Sequence, residues 1–149
     1  MSFPFNILLV LLALAGCASA TPAVGTHTLA ACPASPNCVS SLASDAGHFI
    51  EPFNCSLPPA AARTALIRAV SMLEGGRVVV SEGNYLRAEF VSSFFKFVDD
   101  VEFVIDEEKK IINLRSASRV GYSDFGVNRR RIETLRKSFI NVMTQLESR

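Results

Sequence analysis

Soft metal-ligand residues crowd one stretch of the chain: His27, Cys32, Cys38, His48 and Cys55. Zinc and disulfide chemistry both draw on such side chains. The spacing disfavours zinc, because five residues separate Cys32 from Cys38 and no C-x-x-C pair follows, where structural zinc sites space their thiols by two to four. We therefore expect no metal and no cofactor. A nucleophilic thiol would need a base, and no histidine follows His48, so the base would have to come from the same stretch. In an exported protein these thiols pair as a disulfide. The candidates are Cys32, Cys38 and Cys55, an odd set that leaves the pairing open.

A second group is cationic. Arg129, Arg130 and Arg131 open a predicted helix, at the end where the macrodipole disfavours positive charge. Three in a row imply anions nearby. Asp99, Asp100 and Asp124 are the internal candidates, forming a structural ion network. Alternatively an anionic ligand rests on the helix N–H groups with Arg115 and Arg119 beside it. In that version Arg115, Arg119, Arg129 and Arg131 converge as cationic contacts, and Ser118, Tyr122 and Asn128 supply hydrogen bonds. Catalysis is harder to build. Asp99 and Asp100 are adjacent, so on a strand they point to opposite faces and make no facing dyad. Asp124 near Ser118 or Ser123 lacks a suitable base.

These side chains need elements to hold them. Pro58-Pro59 and Gly75-Gly76 bracket a helix over residues 60–74, with Ala62, Leu66, Ala69, Val70 and Leu73 as its apolar stripe. Strands follow over 77–81 and 85–92, joined by a three-residue turn that sets Val80 opposite Leu86, Val78 opposite Ala88 and Arg77 opposite Glu89. A second hairpin spans 97–105 and 110–118. Its four-residue turn sets Phe103 opposite Ile112, Val101 opposite Leu114 and Asp100 opposite Arg115. A last helix covers 127–146, with Ile132, Leu135, Phe139, Val142 and Leu146 on one side. The order α-β-β-β-β-α predicts an α+β fold: a four-stranded antiparallel meander with both helices on one face. Its other face carries Arg87, Glu89, Asp100, Glu102, Asn113, Arg115 and Arg119, a set that reads first as solvated ion pairs.

The N-terminus indicates export. Nine apolar residues, 7–15, are too few to span the ~30 Å hydrocarbon core and have the length of a signal h-region. Leu14-Ala15-Gly16-Cys17 then resembles the bacterial lipoprotein signal, in which the cysteine thiol is acylated. No Lys or Arg precedes Ile7, so the α-amino group alone is positive there. Plain secretion, cleaved after Ala18-Ser19-Ala20, is the rival; a buried N-terminal helix is a third possibility. The expected organisation is a signal peptide over 1–16, a lipid-anchored tether over 17–31 from Cys17, and one domain over 32–149. With 15 basic against 14 acidic residues, no charge excess points to nucleic acid.

Three segments carry a family resemblance: Pro36-Asn37-Cys38-Val39-Ser40-Ser41; Phe97-Val98-Asp99-Asp100-Val101-Glu102-Phe103; and the run from Arg115 to Arg129, RSASRVGYSDFGVNR. They resemble the domain-of-unknown-function family numbered 1499 over roughly residues 32–146. The resemblance implies a bacterial or plastid-type protein and no established activity. The expected protein is an envelope lipoprotein facing the periplasm or cell exterior, binding an anionic small molecule or a partner protein. A hydrolase-type enzyme and a purely structural envelope protein are the alternatives.

Overall fold

The computed structural model describes residues 27–148. The expected signal peptide and Cys17 lie outside them. Eight elements follow in order: β1 (Cys38–Ser40), β2 (Phe53–Asn54), α1 (Pro59–Ser71), β3 (Gly76–Glu82), β4 (Tyr85–Val91), β5 (Val98–Asp106), β6 (Ile111–Ser118) and α2 (Val127–Glu147).

The fold is α+β, with two helices and one antiparallel sheet of six strands in the order β1-β6-β5-β4-β3, β2 also lying on β6. The expected meander is present as β3 to β6. Its free edge is covered by two short strands outside the expected α-β-β-β-β-α order: β1 against residues 115–117 and β2 against 111–112. Strands of three and two residues are too short to show a period-2 pattern.

Proline at the first position starts α1 without losing a useful N–H. Beyond its C-terminus Gly75 takes φ +75°, and a Cβ there would stand 2.3 Å from the Val91 carbonyl oxygen. Only glycine allows the chain to turn so tightly into β3. Ala62, Leu66, Ala69 and Val70 of α1 and Ile132, Leu135, Phe139 and Val142 of α2 are buried in one core with Leu86, Val101, Phe103 and Leu114 of the sheet. Phe53 of β2 enters that core, its ring centroid 5.9 Å from Phe103 and 5.5 Å from Phe139. The Arg136 guanidinium stacks over it at 4.7 Å and donates to the Pro52 and Glu51 carbonyls.

Both hairpins place the expected side chains inward, but in altered register. In the first, Arg77 faces Glu89 and Val78 faces Ala88; a bulge then shifts Val80 to Arg87 and Ser81 to Leu86, leaving a two-residue turn, Gly83-Asn84. Val80 opposite Leu86 is thereby corrected. In the second, Phe103 faces Leu114, Val101 faces Ser116, Glu102 faces Arg115 and Asp100 faces Ala117. Every pair differs by two from expectation because the turn occupies 107–110, not 106–109. Asp106 stays in β5 and its carboxylate accepts the Lys109 N–H at 3.0 Å. A shift of two keeps each side chain on its face, so Phe103 and Ile112 are fully buried.

Candidate functional site

The sheet separates the arginines that the sequence groups together. Arg115 and Arg119 belong to the face without helices. Arg119 bonds both carboxylate oxygens of Asp100, at 2.7 and 2.8 Å, and also reaches Glu89, which Arg77 holds at 3.0 Å. Arg115 meets Glu102 at 3.3 Å, and the Tyr85 hydroxyl donates to the same carboxylate at 2.8 Å. Arg119 holds the Asp100 carboxyl below the usual range, and with Arg77 it does the same to Glu89. Burial, then the hydrogen bond to Glu102 and that carboxylate's charge, pushes the Tyr85 phenol upward. Part of the stretch expected as tether packs here, since the His27 ring stacks on Tyr85 at 4.3 Å.

Arg131 points into the other face. Its guanidinium pairs with the buried Asp99, donates to Asn128 Oδ1 at 2.6 Å and to Ser116 Oγ at 3.3 Å, and lies 5.2 Å over Phe90. Asn128 is the hub. It is fully buried in the first turn of α2, and its amide N–H groups reach the Asn37 carbonyl, Ser118 Oγ and Asp124 Oδ2 at 2.8–3.1 Å. Its carbonyl oxygen accepts from Ser116 and Arg131. Asp124 accepts the backbone N–H groups of Gly126 and Asn128 at 2.9 and 2.8 Å, answering the helix dipole. Burial opposes ionisation of Asp124, but those N–H groups outweigh it and leave its pKa lowered. Asn37 completes the set by donating to the Gly121 carbonyl. Residues from the three motif segments thus lock the starts of β1 and β5, the end of β6 and the start of α2 to one another.

The remaining arginines bind main chain. Arg129 donates to the Gly47 and Phe49 carbonyls at 2.9 and 2.8 Å, and Arg130 to that of Phe125 at 2.8 Å. The four arginines expected to converge therefore form no common site: two faces and one loop take them apart. Tyr122 stands 76% exposed in the β6–α2 loop, away from the Asn128 hub. Cys32 and Cys38 form the disulfide, and Cys55 is a buried thiol whose pKa burial raises. His48 bonds Asp45 and the Ser35 carbonyl, so neither histidine hydrogen-bonds a hydroxyl or thiol among the described residues. No group of three or more His, Cys, Asp or Glu among those residues is arranged to hold a metal ion. A cleft of about 170 Å³ between residues 55–58 and the β5–β6 turn, and another of about 350 Å³ between residues 29–32 and 40–45, lie away from the arginines.

What the sequence expectation missed is apolar. The β4–β5 loop carries Phe94, Phe95 and Phe97, exposed by 84, 68 and 52%. The β6–α2 loop carries Val120, Tyr122 and Phe125, the last 87% exposed. Since β5 lies between β4 and β6, both loops project from the same end of the sheet. The signal was present: Ser92-Ser93-Phe94-Phe95-Lys96-Phe97 puts three phenylalanines into a turn, where polar residues are the rule.

An antiparallel sheet under two helices, closed at one end by a buried asparagine-centred lock, defines the class of domain. The chain belongs to the family described as "Protein of unknown function (DUF1499)", whose model matches residues 28–139. No curated protein and no solved structure matches the chain.

Proposed function

We propose that this domain is a non-catalytic interaction module, held at the cell envelope through a lipid on Cys17, and that it docks through its aromatic end. One observation carries the reading: six large apolar side chains on two neighbouring loops are left in water, while Asn37, Asp99, Ser116, Asn128 and Arg131 of the family motifs are bonded inside the domain. A monomeric soluble surface seldom gathers so many at one place unless something covers them. The internal bonding of Arg119, Arg129 and Arg131 speaks against an open anion pocket, and the absence of a nucleophile–base pair among the described residues lends catalysis no support. The lipid anchor rests on the Leu14-Ala15-Gly16-Cys17 signal.

Hydroxyl-radical footprinting in isolated envelopes tests the docking. Leu42 and Ile140, exposed by 60 and 46% on the flanks, serve as internal references. Phe94, Phe95 and Phe125 are expected to oxidise more slowly than both, despite greater exposure. Faster oxidation of the aromatic end would refute docking of any kind.

A further inference from the structure

We propose, resting on the docking reading above, that the occupant of the aromatic end is the surface of a phospholipid bilayer bearing anionic headgroups. The rings of that end stand on two separate loops, so a protein partner would need a matching socket, whereas the headgroup–acyl boundary accepts apolar side chains at unequal heights. Both loops turn through the left-handed region at bulky residues, Lys96 at φ 56° and Phe125 at φ 52°. Few side chains adopt that conformation readily, and here it accompanies a phenylalanine ring held almost wholly in water.

Charge points the same way. Lys96 is exposed beside the rings and has no carboxylate partner among the described residues. The Arg130 guanidinium donates to the Phe125 carbonyl and has no carboxylate partner among the described residues. Of the two carboxylates on the adjoining segments, Asp124 is answered by the N–H groups that open α2, while exposed Glu74 keeps its charge as it accepts from Ser93 at 2.7 Å, so the two cations outnumber the one free carboxylate. The end therefore presents aromatic rings edged by cations, the chemistry of a peripheral contact with anionic lipid.

The chain has no tryptophan, so a single introduced indole reports its own surroundings. The mature chain carrying Phe95→Trp, purified from the envelope, is reconstituted with vesicles of phosphatidylcholine and phosphatidylglycerol, and Ile140→Trp on the exposed flank of α2 is the control. We expect Phe95→Trp to emit to the blue and to be quenched about twofold or more by brominated acyl chains, as a ring buried ~5–10 Å into the boundary would be. The control is expected to stay unquenched. Lys96→Glu with Arg130→Glu should remove most of the quenching, and vesicles of phosphatidylcholine alone should show less of it than the mixed ones. A water-like, unquenched Phe95→Trp indole overturns the proposal. So does a blue-shifted, unquenched indole that depends on protein concentration, which assigns the end to a second copy. Footprint protection in envelopes without quenching in vesicles assigns it to a protein and leaves the docking reading standing; neither protection nor quenching removes both.

Discussion

Asn128 is a polar side chain with no access to water, and it is tolerated because each of its hydrogen-bonding positions is used. Replacing it by an isosteric apolar residue strands the partners rather than relieving them. Arg131 would lose its closest neutral acceptor, and the Asn37 carbonyl and Ser116 hydroxyl would each be left short in a dry environment. Asn128→Leu should therefore destabilise the domain by about 3 kcal/mol, the sum of two or more unsatisfied buried groups, seen as a lowered urea midpoint at unchanged slope. A midpoint unchanged from the parent would show that the lock is not structural. The carboxylates add a pH dependence. Arg119 lowers Asp100 and Glu89, and backbone N–H groups lower Asp124 against the effect of its burial. Groups depressed on folding stabilise the native state above their unfolded values, near pH 4, and that contribution is lost as pH falls through their lower folded values. Stability should drop on acidification below about pH 4, and Asp124→Asn should flatten part of that slope in pH-dependent urea melts.

At the scale of elements, the disulfide is what fixes the first strand. Strand β1 has three residues, pairs with β6 and, through Ser40, makes a single bridge to Phe49, and residues 27–37 before it have no regular structure. Closing the loop from Cys32 to Cys38 removes conformations from the unfolded chain, worth about 2 kcal/mol for so short a loop. Reduction, or Cys32→Ser, should lower stability by about that amount, with the first loss of amide protection at residues 38–40; equal protection in both states would place the strand's stability elsewhere. The same elements separate what was readable from what was not. Long amphipathic segments such as α2, with Ile132, Leu135, Phe139 and Val142 at helical spacing, announce themselves through periodicity. So does the inward face of β5. Register does not, because moving the β5–β6 turn by one residue shifts every pair by two and preserves the pattern of faces. Asp106 decided it locally, by accepting the Lys109 N–H from the strand end rather than from inside the turn. The arginines misled for a related reason: helix position predicts that Arg129, Arg130 and Arg131 need anions nearby, and Arg131 finds Asp99, but Arg129 and Arg130 take carbonyl oxygens at Gly47, Phe49 and Phe125, which satisfy their N–H groups without a counter-charge.

For the whole molecule, two attachments to one membrane would set an orientation. The described chain begins at His27, stacked on Tyr85 at the start of β4, and the aromatic loop follows Val91 at the end of that strand. His27 and the aromatic end thus lie one strand length apart, about 20 Å at the usual rise per residue. Ten residue steps join Cys17 to His27, and a fully extended path of that length spans at most about 36 Å. A lipid on Cys17 therefore leaves enough chain for the aromatic end to reach the same bilayer, with little to spare. Removing residues 20–25 keeps the processing signal and Cys17 but cuts the longest possible span to about 14 Å, less than the strand. In that shortened chain, shown by intact mass to carry its lipid, Phe95→Trp should lose its quenching by brominated acyl chains while the protein stays with the vesicles. Quenching undiminished by the deletion would mean that the domain approaches the bilayer in another orientation, and that the position of His27 places no limit on the aromatic end.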